Sequence, residues 1–257
     1  PLPFCCTSNY NGLKGKVLNI LRRIVNIMMI LLKSKSDVIW FTNIDWTVFL
    51  VLGLFKVHKK IIITAYAEPE KILGKCPSTL KRRAMCQIYL IVKTNQRLKY
   101  SDNDLFLPDF FYDNKYKNLS RNFEQKKDAI LVIGTFREEK DMLGAVRCLN
   151  QIGKDALVCG RFYEEKTYND CLKAAENNVC IQNRIIPEDE YLSLISEYKY
   201  IFLPYKDEYK GATSGVLLET IFVDSIPIAP SFLLSFNEID GIGYTSTNEI
   251  ADLIKID

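Results

Sequence analysis

The chain has 257 residues, of which 48% are hydrophobic and 25% are charged. This length and composition suit two compact α/β domains with separate cores, and they exclude a disordered chain, a small disulfide-stabilised domain and a fibre. With 34 Lys and Arg against 31 Asp and Glu, the net charge of +3 is too small and too evenly spread to indicate nucleic acid as a partner.

In the first half, short β-branched runs alternate with helical patterns, which is typical of parallel sheets built from βαβ units. The predicted strands are Asp37–Phe41, Lys60–Thr64, Ile88–Lys93 and Leu105–Leu107, and the predicted helices are Lys14–Lys33, Trp46–Phe55, Ser78–Cys86 and Asn95–Tyr100.

A polar segment without an apolar period, residues 114–127, follows and is predicted to be a linker. It separates a first domain, residues 1–113, from a second domain, residues 128–257. In the second domain the alternation resumes, with predicted strands Ala129–Ile133, Ala156–Cys159, Asn178–Gln182, Tyr200–Leu203 and Ile226–Ala229, and predicted helices Glu139–Ile152, Glu164–Asn177, Glu188–Glu197 and Ser214–Val223.

The predicted fold class is therefore α/β, with two Rossmann-like parallel-sheet domains that face a cleft. Several strands are almost continuously apolar, which indicates sheets covered by helices on both faces. Ligands of such sheets bind beyond the carboxyl ends of the strands, so the loops that follow strands are the places to look for chemistry.

The eight cysteines do not predict a metal site or a disulfide framework. No two of them are spaced as C-x-x-C, and the chain has a single histidine, His58. Several lie in apolar runs, where a reduced cysteine behaves as a small buried hydrophobic residue. We therefore expect no metal and a reducing, cytoplasmic location. The sequon at Asn118 is expected to remain unmodified, because no signal peptide precedes it.

The loop after the first strand of the second domain is the first candidate for phosphate binding. Gly134 ends the strand and permits a tight turn, and Arg137 and Lys140 follow as a helix begins. Backbone amides and positive charge can then converge on an anion. The alternative is an exposed first helical turn in which these two cations pair with neighbouring carboxylates.

The start of the helix at Ser214 is the second candidate. Thr213, Ser214 and Gly215 are small, so the free amides at the helix N-terminus stay open to a phosphate. Glu219 lies four residues after Gly215 on the same helix face, where it can accept hydrogen bonds from a ribose. The alternative is that Ser214 is only an N-cap and Glu219 a surface residue.

With the short strand that follows this helix, the two loops make the sequence resemble the GT-B nucleotide-sugar glycosyltransferases, in particular the large retaining family often called family 4. The resemblance spans most of the chain and includes a glycine with a lysine six positions later, Gly134 and Lys140. It implies transfer of a sugar from a nucleotide-diphosphate sugar to a glycan or lipid-linked acceptor, with retention, without a metal and without another cofactor.

The resemblance also implies roles for individual residues. Lys140, assisted by the amides of Gly215 and Val216, is expected to neutralise the donor diphosphate, and Glu219 to bind the donor ribose. The nucleobase is expected at the turn that contains Arg184 and Ile185. The other positions expected in the donor site are Gly134, Thr135, Gly160, Thr213 and Ser214.

Three positions depart from the family pattern. Thr135 stands where the family has an arginine, with Arg137 as the nearest replacement. Gly211 stands where the family has a first glutamate that faces the transferred sugar, and Glu208 is the nearest carboxylate. Tyr66 stands where many relatives place a histidine in the first domain, and it is expected to donate a hydrogen bond to the reacting sugar.

These departures leave open a second function, that of a catalytically silent glycosyltransferase-like subunit that binds a nucleotide or a partner. A nucleotide-sugar epimerase is a third possibility, but it needs acid and base groups in the cleft. A single histidine, His58, in a turn before a strand, provides little for that chemistry.

The predicted helix Lys14–Lys33 combines basic residues with many apolar ones, and this pattern has two interpretations. It is typical of a basic amphipathic helix on an anionic bilayer, here the inner face of the membrane, and a lipid-linked acceptor would suit that location. It is also, and more commonly, the pattern of a core helix with a basic solvent-facing side.

Proteins that the sequence resembles usually begin with a strand and a glycine-rich loop that contact the acceptor. Residues 1–12 resemble the tail of such a loop, with no strand before it. We therefore expect a nearly complete donor domain and a shortened acceptor domain.

Overall fold

The structure, a computed structural model, describes residues 13–42, 44–102, 104–107 and 121–254. It divides into two compact units, residues 1–109 and 110–257. Each unit has its own core and its own parallel sheet, which confirms the predicted α/β class with two parallel-sheet domains. Residues 1–12, the sequon at Asn118 and most of the predicted linker lie outside the described residues, so the predicted domain limits stay a prediction.

The described part of the first unit contains a four-stranded parallel sheet in the order β1-β2-β3-β4. Helix α2 is apolar on all sides, and Phe49 and Leu52 in it are fully buried. Asp45 begins this helix by accepting a hydrogen bond from the amide of Thr47 at 2.8 Å. The elements are α1 (Leu13–Lys33), β1 (Val38–Phe41), α2 (Trp46–Leu54), β2 (Lys60–Ala65), α3 (Pro69–Leu73), α4 (Ser78–Met85), β3 (Ile88–Lys93) and β4 (Leu105–Phe106).

The predicted helix Asn95–Tyr100 is wrong, because this segment forms turns. The side chain of Asn95 accepts a hydrogen bond from the amide of Arg97 at 2.8 Å, and Asp104 accepts one from the amide of Tyr100 at 2.8 Å. These side chains take the amide protons that a helix would pair with backbone carbonyls.

The second unit has a six-stranded parallel sheet in the order β10-β9-β8-β5-β6-β7. This is the doubly wound order, in which the chain first builds one half of the sheet and then the other. The elements are β5 (Lys127–Phe136), α5 (Met142–Ile152), β6 (Ala156–Phe162), α6 (Glu165–Ala174), β7 (Val179–Asn183), α7 (Glu188–Glu197), β8 (Tyr198–Phe202), α8 (Gly215–Phe222), β9 (Ile226–Pro230), α9 (Ser231–Asn237), β10 (Ile242–Tyr244) and α10 (Ile250–Ile254).

The two faces of this sheet carry separate cores. Helices α5, α6 and α10 cover the face that holds Val132 and Phe136, whereas α7 and the start of α8 pack on the face that holds Leu131 and Ile133. The strand order reverses between β5 and β8, which are direct neighbours. The loops that follow these two strands are the predicted phosphate-binding loops, so both stand at the crevice where such sheets bind ligands.

Strands β5 and β6 extend three residues beyond their predicted ends, to Phe136 and Phe162. The two phenylalanine rings pack against each other with their centroids 4.6 Å apart, which adds an apolar contact beyond the glycines. The glycines Gly134 and Gly160 form a register pair inside the extended strands. A Cβ atom on Gly160 would lie 1.8 Å from the carbonyl oxygen of Gly134, so only glycine fits there.

We expect Gly160→Ala to lower the free energy of unfolding by at least ~2 kcal/mol, because the methyl group forces two paired backbones apart. Gly215→Ala is the matched control, since among the described residues no atom outside its own chain neighbours and helix backbone lies within 4 Å of a Cβ built at Gly215. Urea unfolding followed by circular dichroism compares the two variants. Equal stability of both would contradict the close approach of β5 and β6.

Candidate functional site

Backbone hydrogen bonds join the two predicted phosphate loops at the carboxyl ends of β5 and β8. The amide of Asp141 donates to the carbonyl of Pro204 at 2.7 Å, and the amide of Lys206 donates to the carbonyl of Glu139 at 2.9 Å. These bonds come from the residues on either side of Lys140. The sequence predicts the two loops separately, and the structure brings them together.

The side chain of Lys140 is buried between aromatic rings. It is 7% exposed, and its Nζ lies 5.1 Å from the ring centroid of Tyr205 and 5.3 Å from that of Phe136. A Cβ built on Gly134 would be 3.7 Å from this Nζ and 3.7 Å from Cγ2 of Val216. Gly134 is therefore close to both the ammonium group and the first turn of α8.

A second buried lysine in the same unit shows what is unusual about Lys140. The ammonium group of Lys126 donates hydrogen bonds to the carbonyl of Val223 and to Oγ of Ser225. Among the residues that the structure describes, Lys140 Nζ has neither a hydrogen-bond acceptor nor an ion-pair partner. Burial lowers the pKa of Lys140 to about 8; attraction to the Glu139 carboxylate opposes this shift, and repulsion from Arg137 adds to it.

The alternative interpretation, an exposed and salt-bridged first helical turn, is therefore wrong for Lys140. Arg137 is exposed as that interpretation expects, but its guanidinium packs on the ring of Tyr163, with Cζ 5.2 Å from the ring centroid. It makes no ion pair within the described residues. Lys140 thus places an uncompensated cation at the sheet crevice, which is an arrangement suited to an anionic ligand.

Two tyrosines support the segment that leads into α8. Tyr205 and Tyr209 stack with ring centroids 3.9 Å apart, and the Tyr209 hydroxyl donates to the carbonyl of Thr213 at 2.7 Å. The Tyr205 hydroxyl lies 3.2 Å from Oγ of Ser214. Tyr205 therefore contacts both the lysine of the first loop and the helix start of the second. Sequence reasoning did not identify it.

Ser214 is the N-cap of α8, as the structural alternative predicts, and its Oγ accepts a hydrogen bond from the amide of Leu217 at 3.3 Å. The amides of Gly215 and Val216 lie in the first turn of α8, where an N–H group has no carbonyl acceptor within the helix. Apart from its chain neighbours and the helix backbone, no atom of the described residues lies within 4 Å of a Cβ built on Gly215, so a side chain at this first helical position would meet open space. Capping and anion binding are thus compatible at this terminus.

Glu219 is half-buried rather than a surface residue, so this part of the alternative is wrong. Its carboxylate accepts a hydrogen bond from the hydroxyl of Tyr191, which belongs to α7. The bond holds α7 and α8 together and orients the carboxylate. The predicted contact of Glu219 with a ribose stays a prediction.

The turn that is predicted to contact a nucleobase directly follows β7, whose last residue pairs with Gly160 of β6. The amide of Arg184 donates to the carbonyl of Gly160 at 2.9 Å. The guanidinium of Arg184 is paired with both carboxylate oxygens of Glu190, one of them at 2.7 Å. Ile185 is 75% exposed, which leaves an apolar side chain at the end of this strand. The charge of Arg184 is therefore already compensated, unlike that of Lys140.

Two of the departures from the family pattern, Gly211 and Tyr66, can be located in the structure. Gly211 has φ of +74°, a left-handed conformation that a glutamate would adopt only with strain. The backbone of this loop therefore favours glycine where the family has its first carboxylate. Tyr66 belongs to the other unit, half-buried directly after β2, and its predicted role stays a prediction.

The cysteines divide into two groups. Cys76, Cys148, Cys159 and Cys171 are buried, as expected of small hydrophobic residues, and burial raises the pKa of Cys148 to about 12. Cys86 and Cys180 are exposed instead; Cys180 lies on β7, which is an edge strand of its sheet. In the described ranges, no three His, Cys, Asp or Glu side chains come together as metal ligands would.

We expect Lys140→Met to raise the free energy of unfolding at pH 7 by ~1 kcal/mol, because it removes an uncompensated buried cation. The pKa of Lys140 is about 8 in the folded state against an ordinary value of 10.5. The unfolded wild type therefore binds more protons than the folded one between these values, and its stability rises with pH there. As pH rises over the same interval, the difference in free energy of unfolding between Lys140→Met and the wild type should therefore become smaller.

Urea unfolding of both proteins at pH 7 and pH 10 measures this effect. Lys126→Met is the matched control and should be destabilised, since it leaves a carbonyl and a hydroxyl without their donor. Equal destabilisation of the two variants would contradict the assignment of Lys140 as an uncompensated cation.

Comparison with solved structures shows which fold this arrangement belongs to. The α,α-trehalose-phosphate synthase (UDP-forming) from Burkholderia xenovorans in complex with glucose-6-phosphate matches with a TM-score of 0.68 and 10% identity, over 94% of this chain and 70% of that chain. Sucrose-phosphate synthase from Thermosynechococcus elongatus matches with a TM-score of 0.66 and 13% identity, over 96% of this chain and 70% of that chain.

AviGT4, a glycosyltransferase involved in avilamycin A biosynthesis, matches with a TM-score of 0.57 and 13% identity, over 90% of this chain and 68% of that chain. No protein-family model and no curated protein sequence matches the chain. The identities are low, so these likenesses establish architecture and not activity. The chain has the GT-B fold of these glycosyltransferases.

Proposed function

We propose that the protein is a glycosyltransferase that moves a sugar from a nucleotide-diphosphate sugar to a hydroxyl of a glycan or lipid-linked acceptor, with retention and without a metal. Its structural neighbours include a UDP-forming α,α-trehalose-phosphate synthase, a sucrose-phosphate synthase and a glycosyltransferase, which supports this reaction class. The observation that carries the proposal is Lys140, a buried cation that forms no ion pair with any residue the structure describes and lies close to the first turn of α8. Membership in the retaining family 4 is part of the proposal.

The residues at the crevice suit a diphosphate. Each phosphate of a nucleotide sugar carries one negative charge, and Lys140 with the amides of Gly215 and Val216 offers one ammonium and two N–H donors. In the proposed complex Glu219 receives hydrogen bonds from the ribose hydroxyls. The exposed side chain of Ile185 offers an apolar surface for the base.

The proposed transfer needs little covalent chemistry from the protein. The acceptor hydroxyl oxygen forms a bond to the anomeric carbon, and the bond from that carbon to the diphosphate oxygen breaks. The electron pair leaves with the diphosphate, and the hydroxyl proton passes to the departing oxygen. Fixed cations and helix amides stabilise the charge that develops there. Tyr66 is proposed to donate a hydrogen bond to the sugar.

Titration calorimetry with UDP, GDP and ADP tests the donor site. We expect at least one of them to bind, and Lys140→Met to weaken that binding about tenfold or more, as for loss of a charge-assisted hydrogen bond. Wild-type binding should weaken above pH 8, where the ammonium group loses its proton. Lys140→Arg should remove this pH dependence, since a guanidinium stays charged.

Lys173→Met, an exposed substitution on α6, is the matched control and should bind like the wild type. Absence of binding for all three nucleotides, or equal binding by Lys140→Met and the wild type, would rule out the proposed donor site.

A catalytically silent nucleotide-binding subunit is the second candidate. The left-handed Gly211, which replaces a sugar-facing carboxylate of the resembled family, favours it. Assays of hydrolysis and transfer with a panel of nucleotide sugars separate the two functions. Nucleotide binding without turnover of any donor would favour the silent subunit.

A peripheral membrane contact through α1 is a further part of the proposal, and it fits a lipid-linked acceptor and a cytoplasmic location at the inner face of the membrane. Ile27 and Leu31 face the core, whereas an apolar stripe on another side of α1 is between 45% and 78% exposed. The helix has no acidic residue. Among the described helices, none is long and apolar enough to cross a bilayer. The stripe consists of Val17, Leu21, Val25 and Leu32, and the basic residues of the helix are Lys14, Lys16, Arg22, Arg23 and Lys33.

Vesicle sedimentation tests this contact. The protein should sediment with vesicles of phosphatidylcholine and phosphatidylglycerol, less with pure phosphatidylcholine and less at high salt. Leu21→Glu should reduce sedimentation, whereas Leu172→Glu, an exposed apolar position on α6, is the matched control. Sedimentation that depends on neither salt nor Leu21 would exclude the membrane role of α1.

A further inference from the structure

Arg161 is a basic residue at the candidate site that the sequence analysis did not select. It forms a register pair with Thr135 across β5 and β6, one position after the pair of Gly134 and Gly160. Paired residues on neighbouring strands lie about 4.8 Å apart and extend to the same face of the sheet. Both side chains are exposed. Arg161 therefore reaches from the neighbouring strand into the space next to Thr135.

The face on which Arg161 lies is the face of α8. Ile133, two residues before Thr135, packs in the cluster that contains Val216, whereas Phe136 and Phe162 pack on the opposite face. The side chains alternate along each strand, so Thr135 and Arg161 extend toward the side where α8 begins. The open first turn of that helix and the Arg161 guanidinium thus share one side of the sheet.

A tyrosine holds Arg161 together with Arg137. The amide of Tyr163 donates to the carbonyl of Phe136 at 3.1 Å, which ties the loop after β6 to the end of β5. The Cζ atom of Arg161 lies 5.1 Å from the Tyr163 ring centroid, and that of Arg137 lies 5.2 Å from it. Contacts of this length orient a guanidinium without neutralising its charge.

Neither guanidinium has an ion-pair partner among the residues that the structure describes. Other cations of the unit do have one: Arg184 pairs with Glu190, and Lys154 pairs with Asp128. With Lys140, the region around Gly134 therefore holds three positive charges that form no ion pair with a carboxylate of the described residues. A diphosphate, with two or three negative charges on adjacent groups, is the ligand class that matches them.

We propose that Arg161 is a donor-binding residue whose guanidinium bonds the diphosphate of the nucleotide sugar from the side of β6, with Tyr163 as its positioning residue. The inference rests on the proposed donor function and adds to it a residue outside the two predicted loops. Because Thr135 and Arg161 are neighbours across the strands, an arginine at either position can supply the same charge to the same space.

Exchange of these two residues tests the inference. With calorimetry on the nucleoside diphosphate that the wild type binds and on inorganic pyrophosphate, we expect Arg161→Thr to raise both Kd values about tenfold. Binding of the corresponding nucleoside, which lacks phosphate, should not change. The double variant Thr135→Arg/Arg161→Thr should return both values to within about threefold of the wild type.

Arg147→Thr, an exposed substitution on α5, is the matched control for loss of one surface arginine and should bind like the wild type. Thermal unfolding of every variant verifies that the unit stays folded. If Arg161→Thr binds as Arg147→Thr does while Lys140→Met loses binding, the inference is overturned and the donor site stands.

A double variant no better than Arg161→Thr alone also overturns the inference, because the loss would then not arise from the missing charge in this space. If the wild type binds neither a nucleoside diphosphate nor pyrophosphate, the donor function and the inference fail together. These outcomes distinguish an error about Arg161 from an error about the site.

Discussion

Hydrogen bonds between the loop after β5 and the loop after β8 are the constraint on which the candidate site depends. They hold Glu139 and Asp141 against the neighbouring loop, so that Lys140 between them is turned inward onto aromatic rings. A lysine in this position loses most of its hydration without gaining an ion-pair partner among the described residues, which destabilises the folded state. Destabilisation of this kind is expected at a binding site, where a bound ligand supplies the negative charge. The start of α8 is also close to Gly134, through the side chain of Val216.

The doubly wound order of the second sheet explains why these loops meet. Strands β5 and β8 are direct neighbours, so the loops that follow them begin side by side, and the helices to which they lead lie on opposite faces of the sheet. Gly160 lets β5 and β6 approach closely just before the crevice, and the strands then continue to Phe136 and Phe162. The extension creates the exposed pair of Thr135 and Arg161. The close approach of β5 and β6 thus shapes both the part of the site near α8 and the part formed by Thr135 and Arg161.

Much of the fold follows from sequence pattern, because long apolar strands and amphipathic helices have strong local signals. Strand β3 and helix α7 begin and end where predicted. The prediction failed at Asn95–Tyr100, where side chains of Asn95 and Asp104 compete for amide protons. It also missed the short elements α3, α9, β10 and α10, since elements of three to seven residues have too few residues to show a period.

For the site, the sequence by itself determined the candidate loops. A glycine after a strand, nearby cations and a small-residue helix start are local signals of anion binding. Only the tertiary structure decided which cations are available, because ion pairing and burial join residues distant in the chain. It pairs Arg184 with Glu190, leaves Lys140 buried without a counterion, and places Arg161 beside Thr135 although 26 positions separate them. Strand register and desolvation are properties of the assembled sheet, so no local pattern of residues could have revealed them.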